Sequence, residues 1–216
     1  MFEKIDGCIF DLDGTLLDSM QVWQDVDRRF LEKYGLEWNP EISQNVKKMT
    51  LDESALYFIH ELKVPISLNQ IKAEWESMVA DEYYNNIQLK PGAMSIVKQM
   101  YACAHKMTVA TSCNRGHAIA AMNRLKISRY FEYVKTVKDV GGKSKKYPDL
   151  FYYCAKAMDT DVDRTIVFED LLLPIKVAHE AGFVTCAIQD ELSAHEKEEI
   201  MKYSDYYFKS FKDIFR

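Results

Sequence analysis

Short apolar runs alternate with segments of helical periodicity over most of the chain. Runs of strand length lie at residues 5–10, 107–111, 133–137, 165–168, 183–188 and 206–208. After Pro91 and Gly92, segments with apolar residues three and four positions apart separate these runs, as in amphipathic helices. Strands that alternate with helices favour a parallel sheet covered on both faces. We therefore predict a doubly wound α/β fold with a parallel sheet.

One long segment near the start of the chain interrupts this alternation. Between about residues 17 and 88 the apolar period is helical throughout. Two helix starts there fit the capping-box pattern, namely Thr50 with Glu53 and Ser67 with Gln70. We predict an all-helical domain at residues 17–88, inserted in a core domain formed by residues 1–16 and 89–216. Because the insert leaves just after the first strand and returns before the second, we expect it to act as a cap over the first strand's end.

Two acidic residues follow the first predicted strand. Asp11 and Asp13 are two positions apart, so on an extended backbone they can project to one side. In open α/β sheets, ligands bind beyond the carboxyl ends of the strands. Two carboxylates this close repel each other, which raises one pKa or recruits a cation, and Mg²⁺ suits both the acids and a phosphate substrate. A bare Asp-x-Asp-Gly is usually a turn with two solvated acids, but the apolar strand before it makes the string at residues 8–18 far more specific.

Two later strands also end in polar residues. Thr111 ends the second strand, where its hydroxyl could bind a phosphate oxygen together with the backbone amide of Ser112. A threonine at a strand end is more often structural, so this signal is weak alone. Glu169 and Asp170 end another apolar strand and would supply the further carboxylate that a Mg²⁺ ion requires.

The charge of the chain limits its partners. A formal net charge of -5 over 216 residues argues against a nucleic-acid or anionic-membrane surface. The local exception is a loop with lysines at positions 143, 145 and 146 after a Gly-Gly turn. One ammonium there could neutralise a phosphate and the carboxylate that attacks it, and a solvated surface loop is an equal alternative.

Cysteines, histidines and apolar run lengths indicate where the protein functions. Five cysteines without paired metal spacing predict reduced thiols and a cytoplasmic location, and five dispersed histidines predict no zinc site. No apolar run approaches membrane-spanning length, and charged residues lie within the first six positions. We therefore expect neither a transmembrane helix nor a signal peptide.

Taken in order, these segments resemble the motifs of one superfamily. Asp11-Leu12-Asp13-Gly14-Thr15, then Thr111, Lys145 and Glu169-Asp170 resemble the haloacid dehalogenase superfamily of phosphohydrolases. The resemblance spans essentially the whole chain and is strongest to the branch with a helical cap between the first two motifs, which includes β-phosphoglucomutase and sugar-phosphate phosphatases. It implies a Rossmann-like core and Mg²⁺-dependent hydrolysis of a small phosphorylated metabolite, most simply a sugar phosphate.

The resemblance also implies a role for each motif residue. Mg²⁺ would be held by Asp11, Asp170 and the backbone carbonyl of Asp13. Lys145 is chosen among the three lysines because the family usually places this lysine four residues before an Asp preceded by Pro, here Pro148-Asp149. The implied roles are Asp11 as nucleophile, Asp13 as general acid and base, Thr111 and Ser112 as phosphate ligands, Lys145 as phosphate ligand and charge neutraliser, and Glu169 as support for the metal ligand Asp170.

Within the superfamily, the first cap helix and Asp13 separate the alternatives. A dehalogenase needs no acid at Asp13, because a halide leaves unaided. A mutase resembles this chain in every core motif, but mutases typically carry a histidine and an arginine in the cap, and residues 18–23 and 48–51 contain neither. The cap start is similar to that of hexose-phosphate phosphatases, which makes Trp23 and, further on, Thr50 candidate substrate contacts. A role for Trp23 in the core of the cap is equally favoured.

The chain departs from the family after Glu169-Asp170. The usual pattern has Ser and then Gly three residues on, whereas this chain has Leu171-Leu-Leu-Pro174. The lost hydroxyl and stiffer turn could shift the metal loop, although Pro is accepted in the first turn of a helix, so we expect a working but altered site. A different class stays open, namely a catalytically weak module that binds a metabolite or a protein, although two clashing carboxylates argue against it.

Overall fold

The computed structural model describes residue 2 and residues 4–46, 49 and 51–214, apart from the side chains of residues 23, 43 and 44. The chain divides into two compact units, one formed by residues 1–18 and 88–216 and the other by residues 19–87. The first unit contains the sheet and the second is helical. Within the described ranges, no helix combines the length and apolar character needed to cross a membrane.

A six-stranded parallel sheet forms the centre of the first unit. Its strands are β1 (Gly7–Phe10), β2 (Lys106–Thr111), β3 (Tyr133–Thr136), β4 (Thr165–Glu169), β5 (Val184–Ile188) and β6 (Tyr206–Phe208). The spatial order is β3-β2-β1-β4-β5-β6, and every neighbouring pair is parallel. The chain therefore winds outward in both directions from β1, and sheets of this kind bind ligands beyond the carboxyl ends of the strands at this switch point. The predicted doubly wound fold is confirmed.

The second unit contains α1 (Met20–Lys33), α2 (Pro40–Val46), α3 (Leu51–His60) and α4 (Leu68–Asp81), followed by a π-helical turn at Glu82–Asn86. Its core packs the rings of Phe30, Phe58 and Trp75, with centroids between 4.9 and 5.7 Å apart. The predicted capping box at Ser67 is confirmed, since the side-chain oxygen of Gln70 accepts the Ser67 N–H at 3.0 Å. Thr50, which belongs to the other predicted box, lies outside the described residues.

The sheet is covered by helices of its own unit, which are α5 (Ala93–Ala102), α6 (Arg115–Arg124), α7 (Asp149–Met158), α8 (Leu172–Glu180) and α9 (Lys197–Lys202). On one face of the sheet, Ile9 of β1 and Val167 of β4 belong to the same buried cluster as Phe151 of α7. On the other face, the rings of Phe10 and Phe168 stack with centroids 4.4 Å apart. Because neighbouring residues of a strand point to opposite faces, both faces of β1 are buried, which explains its continuous apolar run.

Five strand boundaries differ from the prediction by one or two residues, and two of these are the first residues of β2 and β5, which are Lys106 and Val184. β3 ends at Thr136 because the Asp139 carboxylate accepts the Thr136 N–H at 2.7 Å and closes a 3₁₀ turn at Val137–Val140. β1 begins at Gly7 and not at Ile5, whose N–H bonds to the Phe2 carbonyl at 3.1 Å instead. β4 is one residue longer than predicted, and its last residue is Glu169.

Candidate active site

The motif residues of the first unit meet at the carboxyl edge of three neighbouring strands. Asp11 directly follows β1, Thr111 is the last residue of β2, and Glu169 is the last residue of β4 with Asp170 next. Because β2, β1 and β4 are adjacent and parallel, these four residues emerge at the same edge of the sheet. They reach the switch point from segments more than 50 residues apart in sequence.

Three buried carboxylates converge at this edge. Asp11, Glu169 and Asp170 each offer an oxygen, and these oxygens lie within 4.8 Å of one another. Lys145 is also buried, and its Nζ contacts Asp11 Oδ1 and, at 2.7 Å, Glu169 Oε1. The structure thus brings Asp11, Lys145, Glu169 and Asp170 together, and the roles that the resemblance implies for them stay predictions.

Glu169 organises its neighbours as well as pairing with Lys145. Its second oxygen, Oε2, accepts the backbone N–H of Asp170 at 3.0 Å and that of Leu171 at 3.3 Å. These bonds satisfy amides at the start of α8, where Leu171 has no side chain that could cap the helix. Pro174 lies in the first turn of α8, as expected for a tolerated proline.

Asp170 is held on one side only. Its Oδ1 accepts the Thr15 hydroxyl at 2.8 Å, whereas its buried Oδ2 receives no hydrogen bond from any described residue. A Cβ on Gly14 would lie 2.4 Å from this Oδ2, and Gly14 has φ +85°. The glycine therefore keeps the space beside the unpaired oxygen open. The role of Thr15 was not predicted, although the residue closes the first motif string.

Burial dominates the electrostatics of the cluster. It raises the pKa of Asp11 to about 8, repulsion from Glu169 adds to this shift, and the ammonium of Lys145 only partly offsets it. Burial likewise raises the pKa of Asp170 well above its usual value, assisted by the charges of Glu169 and Asp11. Burial alone would lower the pKa of Lys145, but the charges of Asp11 and Glu169 outweigh it and raise this pKa, so Lys145 is cationic at neutral pH.

These groups fit a divalent cation. If all three carboxylates were ionised, they would carry two negative charges more than the one ammonium balances, and burial together with this repulsion raises the pKa values of Asp11 and Asp170. One buried oxygen also lacks a donor among the described residues. A hard ion with oxygen ligands, such as Mg²⁺, matches both the charge and the donor atoms. The Asp13 side chain is not in the three-carboxylate group; its predicted role in metal binding is through its backbone carbonyl, which stays a prediction.

The remaining predicted residues differ in what the structure describes. Thr111 is buried and its Oγ1 accepts the Cys113 N–H at 2.9 Å, so its own proton is left to donate elsewhere, while Ser112 is exposed. Asp13 is half-buried. Thr50 and the side chain of Trp23 lie outside the described residues.

The three loop lysines differ in their burial and in their partners. Lys145 is buried in the cluster, Lys143 pairs with Asp149 at 2.5 Å on the surface, and Lys146 is exposed. The five cysteines are free thiols, and Cys8, Cys154 and Cys186 are buried.

Comparison with known proteins agrees with this geometry. The sequence profile described as haloacid dehalogenase-like hydrolase matches residues 8–188. The bifunctional riboflavin kinase/FMN phosphatase of Arabidopsis thaliana is 24% identical over 187 residues, 86% of this chain and 49% of the relative, so the chain spans about half of that relative's length. The phosphorylated carbohydrates phosphatase of Thermotoga maritima is 22% identical over 178 residues, 82% of each protein.

A solved structure extends the likeness to the fold. A putative beta-phosphoglucomutase from Thermotoga maritima superposes with a TM-score of 0.84 at 19% identity, covering 95% of this chain and 94% of that one. At this identity the likeness shows the fold alone.

Proposed function

The chain belongs to the haloacid dehalogenase-like hydrolase family, and on this premise we propose that it is a Mg²⁺-dependent phosphatase of a small phosphorylated metabolite, with a sugar phosphate as substrate. The observation that carries the proposal is the buried group of Asp11, Glu169 and Asp170 with Lys145, where one Asp170 oxygen has no donor among the described residues. A purely structural cluster has no use for excess buried charge, whereas phosphoryl transfer needs it.

Asp11 is the proposed nucleophile. One of its carboxylate oxygens attacks phosphorus, the bond from phosphorus to the leaving oxygen breaks, and an aspartyl-phosphate forms. Asp11, Asp170 and the backbone carbonyl of Asp13 would hold Mg²⁺, which supplies the positive charge that lets a carboxylate approach a phosphoryl group. Lys145 holds the Asp11 carboxylate in place and neutralises negative charge beside it.

Asp13 is the proposed acid and base. Its carboxyl group gives a proton to the departing alkoxide, and the resulting carboxylate then takes a proton from the water that attacks the aspartyl-phosphate. Water adds to phosphorus, the bond to Asp11 breaks, and inorganic phosphate leaves with both carboxyl groups restored. Thr111 and the backbone amide of Ser112 would bind phosphoryl oxygens during both steps.

The substrate class is supported by one relative and by the helical unit. The Thermotoga maritima relative is named a phosphorylated carbohydrates phosphatase. Residues 19–87 form a separate helical unit inserted after the first motif, which we propose acts as a cap that closes on substrate through Trp23 and Thr50. The free cysteines are compatible with a cytoplasmic enzyme, which is the location we propose.

The test separates leaving groups. The wild type should release phosphate from sugar phosphates and from p-nitrophenyl phosphate only when Mg²⁺ is present, and Asp11→Asn should release none. Asp13→Asn should lose about 10²- to 10⁴-fold of kcat on a sugar phosphate, because an alkoxide needs a proton. On p-nitrophenyl phosphate, whose phenolate leaves unaided, the loss should be far smaller.

Two outcomes would count against the proposal. An equal loss of kcat on both substrates in Asp13→Asn would remove the acid role. A wild-type protein that binds Mg²⁺ and phosphate but turns over no phosphoester in a panel of phosphorylated metabolites would instead be a binding module.

A further inference from the structure

A surface ion pair lies beside the candidate active site but has no role in the proposed chemistry. Arg115 is the first residue of α6, four positions after Thr111, and Asp139 lies three positions after Thr136. The Nη2 of Arg115 contacts both carboxylate oxygens of Asp139. Thr111 and Thr136 are direct partners in the β2–β3 ladder. The ion pair therefore closes across the carboxyl ends of two adjacent strands.

Hydrogen bonds fix the backbone of the segment that carries Arg115. The side-chain oxygen of Asn114 accepts the Gly116 N–H at 2.8 Å, which caps α6 around Arg115. One turn earlier, Thr111 Oγ1 accepts the Cys113 N–H at 2.9 Å. The guanidinium is thus carried by the same short segment that bears the proposed phosphate ligand.

Asp139 begins the loop that carries Lys145. Its carboxylate accepts the N–H of Thr136 at 2.7 Å and the hydroxyl of Thr136 at 3.4 Å. Two and three positions later, Gly141 and Gly142 have φ +70° and +80°, and no described atom lies within 4 Å of an added Cβ at either. The two glycines therefore add no side-chain packing, and the path of the loop here depends on the 3₁₀ turn that precedes them.

The loop nevertheless places the buried ammonium of Lys145 in contact with two carboxylates. Lys145 lies only three positions beyond Gly142 and is in contact with Asp11 and Glu169. The loop ends at Asp149, the first residue of α7, whose carboxylate accepts a hydrogen bond from Lys143 Nζ at 2.5 Å. The near end is held by Val137 and Val140, which pack against the buried core, and by Asp139, which Arg115 contacts.

We infer that Arg115 and Asp139 are positioning residues, whose ion pair fixes the start of the Lys145 loop against the phosphate-binding end of β2. The inference rests on the proposed function for its catalytic consequence. Neither residue acts on substrate: each acts through Lys145 and Thr111. An ion pair this exposed contributes little to global stability, so its loss is expected to alter the geometry of the loop and leave the fold intact.

The chain offers a matched control for this ion pair. Arg164 bonds to Asp6 through Nε at 2.6 Å and Nη2 at 2.8 Å. The side chain of Arg164 is 50% exposed and that of Arg115 is 48% exposed. Arg164 and Asp6 precede β4 and β1, so they lie at the opposite end of the sheet. Arg115→Met and Arg164→Met therefore remove the same chemical group from arginines of matched exposure at opposite edges, although the partner Asp139 is 20% exposed and Asp6 48%.

Amide hydrogen exchange tests the position of the loop. The Gly142 N–H bonds to the Val137 carbonyl at 2.9 Å and the Tyr147 N–H to the Ser144 carbonyl at 3.1 Å, so both amides report on loop order. Both should exchange faster in Arg115→Met, and neither should change in Arg164→Met. Asp139→Asn should behave as Arg115→Met does, because an amide oxygen can still accept from Thr136 but no longer carries the charge.

Kinetics test the consequence for the site. In Arg115→Met, the inhibition constant of inorganic phosphate and the KM of p-nitrophenyl phosphate should rise about three- to tenfold, since small misplacements of a phosphate-binding cation are costly. The Mg²⁺ concentration for half-maximal activity should stay at the wild-type value, because the carboxylate ligands are untouched. Arg164→Met should leave all three constants unchanged.

The two proposals fail in different ways. A wild-type protein without phosphatase activity overturns the proposed function, and the inference about the ion pair is then decided by exchange and by inorganic phosphate binding. Equal exchange of Gly142 and Tyr147, and equal phosphate affinity, in Arg115→Met and Arg164→Met overturn the inference even if the wild type is an active phosphatase.

Discussion

Each unit contains a cluster in which a lysine contacts a carboxylate, but the pKa of the carboxylate is shifted in opposite directions in the two clusters. In the first unit, Lys145 contacts the carboxylates of Asp11 and Glu169 inside the protein. In the helical unit, Lys33 and the hydroxyl of Tyr34 bond to Glu74 at 2.8 and 2.7 Å, where the Lys33 side chain is half exposed. The hydrogen bond from Lys33 lowers the pKa of Glu74, whereas burial raises the pKa of Asp11 to about 8 despite its lysine.

The difference shows that pairing alone does not decide whether a carboxylate is stable in its ionised form. At the surface, water solvates each charge, and a lysine adds a small favourable term. In the buried cluster, desolvation and repulsion between the carboxylates outweigh the contact with Lys145, and the proposed Mg²⁺ would favour their ionised forms. Buried groups with strongly shifted pKa values are typical of functional sites, which supports the proposal that the buried cluster is the active site.

The largest contrast should come from removing the lysine of each cluster. Lys145→Met leaves Asp11 and Glu169 without their cation, and kcat/KM on p-nitrophenyl phosphate at saturating Mg²⁺ should fall about 10²- to 10³-fold. Lys33→Met should change it by less than about twofold, since the pair is exposed and lies in the other unit. Circular dichroism checks that both variants are folded. Similar losses in both variants would mean that burial does not distinguish the clusters.

A smaller effect is expected from adding one methyl group to a glycine in each unit. Gly14 and Gly35 both have positive φ, at +85° and +70°. A Cβ on Gly14 meets Asp170 Oδ2 at 2.4 Å, whereas a Cβ on Gly35 meets no described atom within 4 Å. Both alanine variants should therefore lose about 1 to 2 kcal/mol of unfolding free energy from backbone strain. Only Gly14→Ala should also raise the half-saturating Mg²⁺ concentration, by about tenfold or more.

Denaturant unfolding and the Mg²⁺-induced shift in Tm measure these two effects separately. If Gly14→Ala loses stability but keeps its Tm shift with Mg²⁺, the space beside Asp170 Oδ2 is not where the ion binds.

The smallest effect concerns the exposed cluster and its dependence on pH. The folded state lowers the pKa of Glu74 from its ordinary value of 4.5, so its ionised form stabilises the fold above that pH. This contribution is lost as the pH falls through the lowered pKa. Glu74→Gln should cost less than about 1 kcal/mol at pH 7, and wild type and variant should converge in acid. A difference that grows as the pH falls would contradict this sign.

Prediction from sequence succeeded where the information was local. The apolar run before Asp11 and the alternation after Gly92 predicted the sheet, because strand and helix periods are properties of neighbouring residues. Strand ends were displaced by one or two residues, as at Thr136, where a side chain three positions on closes a turn. The resemblance to the family singled out Lys145, because the family usually places this lysine four residues before an Asp preceded by Pro, and the structure buries it while Lys143 and Lys146 stay at the surface.

What the sequence could not predict depends on contacts between distant segments. The bond from Thr15 to Asp170 joins residues 155 positions apart, and the Arg115–Asp139 pair spans 24. No periodicity encodes such a pair, because it depends on which loops the sheet order brings together. The roles proposed for Trp23 and Thr50 stay predictions.

The sequence by itself determined that acidic residues follow apolar strands. Because strands that alternate with helices run parallel in the sheet, their carboxyl ends, and the acidic residues that follow them, lie at one edge. Only the tertiary structure decided how those acids differ from one another. Burial, the partner of each oxygen and the raised pKa of Asp11 follow from atoms packed around the site by segments far apart in the chain, with Lys145 and Asp11 separated by 134 positions. Desolvation is a property of that three-dimensional surrounding, so it is absent from any local pattern of residues.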